Sequence, residues 1–89
     1  MHKAKVEIYT SANCSYCVRA KMLLQRKNVH FEEIPIDQDP KKRDEMMRRS
    51  QGKRTVPQIF INGESVGGFD DLWKLDQQRK LDALLEKEK

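Results

Sequence analysis

The 89-residue sequence predicts an α/β fold, a four-stranded mixed sheet flanked by helices in the order βαβαββα. Three features point to it. "KVEIYT" (5–10) and "HFEEIPI" (30–36) are strand-like and are joined by a crossover of about twenty residues containing a helix, a connection that makes the strands parallel. "PQIFI-NG-ESVG" sets two β-rich runs around Asn62-Gly63, the favoured two-residue type I′ hairpin turn. The remaining stretches carry helix formers, caps and stops.

In order, Val6, Ile8 and Tyr9 make 5–10 a strand by their alternation and β-propensity. From Ser15 to about Lys27 helix formers dominate, and Cys17, Ala20 and Leu24 fall at i, i+3 and i+7, one buried face. In 30–36 His30 is a strand-start residue, and Pro35 marks the strand's end or an edge position. Asp39-Pro40 opens a second helix, a cap followed by proline in the first turn. That helix runs to about Ser50, turns Met46 and Met47 to the core, and is stopped by Gly52. Gly67-Gly68 ends the fourth strand, and Asp70 or Asp71 caps one last helical region through "DLWKLDQQRKLDALLEKEK". Leu72, Leu75, Leu81, Leu84 and Leu85 supply its apolar face, Trp73 is expected against the sheet, and "EKEK" is expected to fray.

Residues 1–89 are read as one domain, long enough for a single thin core. No apolar run exceeds three residues, which excludes a membrane-spanning helix and a signal-peptide core and makes the cytoplasm the expected location. There a structural disulfide is disfavoured, and a close cysteine pair is more often catalytic or metal-binding. Charge is uneven. Between Lys41 and Arg54 seven basic residues face two acidic ones, a local +5 within an overall +4. A solvated helix face and a site for a small anion both explain this. Nucleic acid is disfavoured, because the stretch interleaves no aromatic residues.

Chemistry concentrates in "CSYC" (14–17). Structural zinc needs four ligands, whereas this chain has one cysteine pair and two distant histidines, His2 and His30. A buried inert pair is the plain alternative. Against it, Cys14 stands where a strand gives way to a helix, and free N–H groups and the helix dipole there stabilise a thiolate. Cys17 lies one turn on, within reach of a mixed disulfide at Cys14. A C-x-x-C beside a βαβ unit is the pattern of a thioredoxin-like redox couple. A free thiol of pKa ~8.5 is only about 3% ionised at neutral pH. Lowering that pKa raises the ionised fraction but weakens the nucleophile, so the larger gain is in the sulfur's departure as a leaving group.

"CSYC" (14–17), "TVPQIFI" (55–61) and "GGFDDL" (67–72), in this order, resemble the dithiol glutaredoxins from end to end. The resemblance implies a thioredoxin-like fold and a glutathione-dependent reductase of protein disulfides and protein–glutathione mixed disulfides. It implies Cys14 as nucleophile and Cys17 as resolving thiol. Tyr16 would wall a glutathione groove, Thr55 and Val56 would pair with the tripeptide backbone, and Pro57 would be a cis-proline. Gly68 would let the ligand backbone approach, while Asp70 and Asp71 would hold the γ-glutamyl end. Ribonucleotide reductase is a typical client of the family, and a monomer is expected.

Two departures stand out. Many relatives carry lysine three residues before the nucleophile, where this chain has Ser11; Arg43, Lys53 and Arg54 are the candidate replacement cations for the glycyl carboxylate. Ser15 stands where dithiol relatives commonly have proline, and some CSYC relatives bind a [2Fe–2S] cluster between two subunits through the first cysteine and glutathione. A cluster carrier is therefore one alternative. A hydrogen donor served by thioredoxin reductase is another, against which the GGFDD turn speaks. Phe69 stands where many relatives have cysteine or serine.

Overall fold

Strand alternation decides how this chain packs. In a computed structural model, which describes residues 3–87, Val6 and Ile8 of β1 (Val6–Thr10) point to one side of the sheet and Tyr9 to the other. The sheet runs β2 (Phe31–Pro35), β1, β3 (Gln58–Ile61), β4 (Glu64–Gly67). β1 is parallel to β2, and the other pairs are antiparallel, as the crossover and the hairpin require. Pro35 closes β2 at the sheet edge, where its missing N–H leaves no ladder bond unmade.

Helix α1 (Ser15–Arg26) lies on the first face with α3 (Phe69–Gln77) and α4 (Leu81–Glu86). Ala20, Leu23, Leu24, Leu72, Leu81 and Leu85 meet Val6, Ile8, Ile59 and Ile61 there, all almost fully buried. On the second face α2 (Pro40–Arg49) packs Met46 against Tyr9, Ile34, Ile36 and Phe60, with Met47 half-buried at the margin. The Asp39 side chain caps α2 by accepting the Lys41 N–H at 3.1 Å. Asn62 and Gly63 take the left-handed conformations of a type I′ turn, with φ of 54° and 84°.

Four expectations are corrected. The last helical region is two helices. Arg79 sits at φ 59°, and the Arg79 and Lys80 N–H groups donate to Asp76 and Leu75 carbonyls, closing α3 with a Schellman turn. The same turn ends α2 at Gln51 rather than at Gly52, whose N–H donates to the Met47 carbonyl. Neither Asp70 nor Asp71 is the cap of α3. Gly68 is, and Asp71 reaches back from the first turn to accept its N–H at 3.0 Å. Trp73 does not pack on the sheet. Leu72 takes that direction, and one residue turns the helix by about 100°, leaving Trp73 47% exposed beside Leu23 and Arg26. For "EKEK", Glu86 ends α4 and Lys87 caps it, while residues 88–89 lie outside the described residues, as does His2.

Glu7 is an acid in a central strand, and Arg49 accounts for it. The guanidinium meets the Glu7 carboxylate at 2.8 and 3.2 Å, donates to the Tyr9 hydroxyl at 2.7 Å, and lies 4.2 Å from the Phe60 ring centre. Glu7 raises the Arg49 pKa above its already high value. Burial pushes the Tyr9 phenol up against the opposing pull of that hydrogen bond. This pair clamps α2 to the sheet. Arg49→Ala, which removes the guanidinium from a buried carboxylate, is expected to cost about 2–4 kcal/mol in urea unfolding, with Glu7→Gln restoring part of it in the double variant.

Candidate active site

The end of β1 and the start of α1 place the two cysteines. Cys14 is the N-cap of α1, with extended backbone, and its sulfur accepts the Cys17 N–H at 3.1 Å. A sulfur thus occupies the place where a cap usually sets an oxygen, at the positive end of a twelve-residue helix. Cys14 is partly exposed, and Cys17 is 2% exposed. The two are joined as a disulfide with Cα atoms 5.2 Å apart.

Two cavities flank the pair. A groove of about 400 Å³ is lined by Tyr16, Lys53, Thr55, Val56, Pro57, Gln58, Gly68, Phe69, Asp70 and Asp71. The Val56 carbonyl, 3.6 Å from the Cys14 sulfur, joins this groove to the cysteine. One wall is the segment 55–57, with the Val56–Pro57 bond cis. The other is the start of α3. Gly67 is held at φ 113°, where a Cβ would collide with the Asp71 carboxylate turned back on Gly68. Tyr16 and Phe69 close one side with ring centres 6.1 Å apart, and Arg19 lies 5.3 Å from the Tyr16 ring centre.

Seven residues nominated from sequence, Tyr16, Thr55, Val56, Pro57, Gly68, Asp70 and Asp71, therefore share one groove. Of the three candidate cations only Lys53 lines it. Arg43, on α2, and Arg54, in the connecting loop, are both exposed and do not line it. Gln58 and Phe69 went unrecognised in the sequence. Gln58 is 1% exposed and donates from Nε2 to the Thr55 carbonyl at 3.0 Å and hydroxyl at 3.2 Å, bracing the wall. A polar residue inside the run "PQIFI" was the available signal.

The second cavity, about 550 Å³, touches both cysteines and is lined further by Thr10, Lys21, Glu33, Asp37 and Asp39. Lys21 meets Glu33 at 3.1 Å, and the Thr10 hydroxyl donates to the same carboxylate at 2.8 Å.

Residues 6–66 match the family model described as Glutaredoxin. The chain belongs to the glutaredoxin family. Glutaredoxin 3 of Escherichia coli (strain K12) is 56% identical over 82 residues, which cover 92% of this chain and 98% of that protein. The solution structure of glutaredoxin from Brucella melitensis superposes with a TM-score of 0.83 at 48% identity, covering 97% of this chain and 92% of that one. A buckwheat glutaredoxin–glutathione complex gives 0.83 at 27% identity, covering 92% and 76%. This glutaredoxin has the thioredoxin-like fold of those structures and is a thiol–disulfide oxidoreductase working through its C-x-x-C pair.

A [2Fe–2S] cluster takes four thiolates. This chain has two, three positions apart, and no group of three or more His, Cys, Asp or Glu converges among the described residues. One copy by itself does not supply the ligands of a cluster.

Burial acts to raise the Glu33 pKa, but the Thr10 hydroxyl and the Lys21 ammonium outweigh it and hold the carboxyl below its ordinary value. A depressed carboxyl pKa stabilises the fold above the unfolded value and loses that contribution as pH falls through the folded one. The stability difference between wild type and Glu33→Gln, from urea unfolding, should be constant above about pH 5.5 and shrink below about pH 4. A difference independent of pH would contradict it.

Proposed function

We propose that this glutaredoxin reduces protein disulfides and protein–glutathione mixed disulfides through Cys14, with Cys17 resolving and glutathione returning the electrons. The observation that carries the reading is the asymmetry of the pair. Cys14 is reachable, caps a helix and adjoins the groove; Cys17 is buried one turn behind it.

In deglutathionylation the Cys14 thiolate attacks the glutathionyl sulfur, the protein sulfur leaves and takes a proton, and Cys14 keeps the glutathionyl group. A glutathione thiolate then attacks that group's sulfur, forming glutathione disulfide and freeing the Cys14 thiolate. With a protein disulfide, the Cys14 thiolate attacks one substrate sulfur, and the other substrate sulfur leaves and takes a proton. The Cys17 thiolate next attacks the Cys14 sulfur, expelling the substrate sulfur held in the mixed disulfide and leaving the Cys14–Cys17 disulfide seen here. Two glutathione molecules reduce it.

The groove suits the tripeptide, which carries two carboxylates and one ammonium. Val56 precedes β3, and its N–H has no backbone partner among the described residues, leaving an edge for an added strand. N–H groups at the start of α3 can take a carboxylate. Asp70 suits the ammonium, because one Asp71 oxygen is committed to Gly68. Lys53 is the cation for the other carboxylate, in place of Arg43 or Arg54. The glutathione complex of the buckwheat relative supports the assignment. No helix among the described residues is long and apolar enough to cross a membrane. We place the protein in the cytoplasm, acting as a single-domain monomer on clients of the ribonucleotide reductase kind.

A coupled assay with a glutathionylated protein tests the roles. Cys14→Ser should abolish turnover, whereas Cys17→Ser should retain deglutathionylation and lose reduction of a protein disulfide. Activity surviving in Cys14→Ser would refute the assignment. Lys53→Ala should raise the KM for glutathione by about three- to tenfold with little change in kcat, since it removes one charge-assisted contact made before and during reaction.

A further inference from the structure

Seven basic residues lie between Lys41 and Arg54, and the fold accounts for only two of them. Arg49 is the Glu7 clamp, and Lys42 lies 3.5 Å from Glu45. Lys41, Arg43, Arg48, Lys53 and Arg54 are exposed and make no ion pair among the described residues. Lys53 belongs to the groove, which leaves a cationic surface centred on α2 without a task. Lys41, Asp44, Met47 and Arg48, at i, i+3, i+6 and i+7, share one helix face and line a shallow depression of about 560 Å³ with half-buried Met47 in its floor. The face is held firmly, because Met46 and Arg49 fasten the opposite side of the same helix to the sheet.

Its position relates it to the reactive sulfur. Asp39, the cap of α2, lines the cavity that touches both cysteines. At the other end the chain leaves α2 and reaches Lys53, Thr55 and Val56 in the groove wall beside Cys14. The segment from Asp39 to Val56, with α2 within it, therefore runs from one of the cavities that flank the disulfide to the other. Any protein presenting a sulfur to Cys14 must lay neighbouring chain over some rim of this site, and beyond Asp39 the exposed side of α2 sets Lys41, Arg43 and Arg48 against Asp44.

We propose that the outer face of α2, with Lys41 and Arg48 at its centre, docks an acidic segment flanking the target cysteine of the protein substrate. The charges have the sign that attracts carboxylates, and like charge gathered on one face steers association rather than stabilising the helix. The face carries no aromatic residue on which a base could stack, which favours an acidic peptide over nucleic acid. The proposal rests on the thiol–disulfide reading above and adds a substrate preference to it.

The test uses the full chain and two glutathionylated peptides that differ only in flanking residues, one with several Asp and Glu, the other with Ser and Asn. Wild type should turn over the acidic peptide with a kcat/KM about five- to tenfold higher in dilute buffer, and the preference should fade near 0.5 M salt, where screening is strong. Lys41→Glu/Arg48→Glu should erase the preference and leave reduction of the neutral hydroxyethyl disulfide unchanged; Lys41→Gln/Arg48→Gln serves if the reversal impairs folding. No preference in wild type, or an equal one in the variants, overturns the docking surface. So does a DNA oligonucleotide that displaces the acidic peptide stoichiometrically. Failure of wild type on hydroxyethyl disulfide would instead refute the enzymatic reading.

Discussion

The Cys17 N–H aimed at the Cys14 sulfur is the contact on which the site depends. It exists because Cys14 ends the loop after β1 in an extended conformation and α1 begins with the next residue. The helix cannot drift from that register, since Ala20, Leu23 and Leu24 lock it to Val6, Ile8 and Ile59 in the core. A sulfur placed this way faces an amide already oriented before any charge develops. Stabilising the anion then needs no reorganisation when a bond to it forms or breaks. The same packing buries Cys17 and leaves Cys14 the more accessible sulfur of the couple.

The groove beside Cys14 follows from local constraints on two other segments. β3 pairs with β1 and thereby carries residues 55–57 alongside Cys14. The hairpin partner β4 ends at Gly67, where a left-handed φ turns the chain into α3 and lets the Asp71 carboxylate fold back on Gly68. The two walls come close at the Pro57 carbonyl, 3.5 Å from where a Cβ on Gly68 would lie. Backbone geometry shapes the groove, and few side chains are needed to charge it: Lys53 on one wall, Asp70 on the other.

Much of this was legible in the sequence, and the reasons are particular. Asp39-Pro40, Asn62-Gly63 and the βαβ spacing are local signals whose physics operates within a few residues, and the structure realises each of them. The family motifs placed the groove residues together. What escaped was chemistry that needs a distant partner. The left-handed Gln51 and Arg79 carry no glycine signature, and the backbone hydrogen bonds that close the two helices there show only in the structure. Glu7 reads as a solvent-facing strand residue until Arg49, 42 positions away, is seen against it. Lys21 and Glu33 likewise meet only once β2 lies beside β1. Asn62 does more than turn a hairpin, because its side-chain oxygen accepts the Lys5 N–H and its amide donates to the Lys87 carbonyl, tying both ends of the described chain to the turn.

These parts give the disulfide two unlike surroundings. One side is the groove between Val56 and Asp70, which we propose takes the tripeptide; the other is a cavity edged by Glu33, Asp37 and Asp39. Both serve only if the exposed sulfur is an anion when reduced. Ultraviolet titration of the reduced protein near 240 nm, with Cys14→Ser as the reference, tests this most directly. A thiolate held by the helix start should titrate at least one to two units below the ~8.5 of a free cysteine. A Cys14 thiol still protonated above pH 8 would contradict the account.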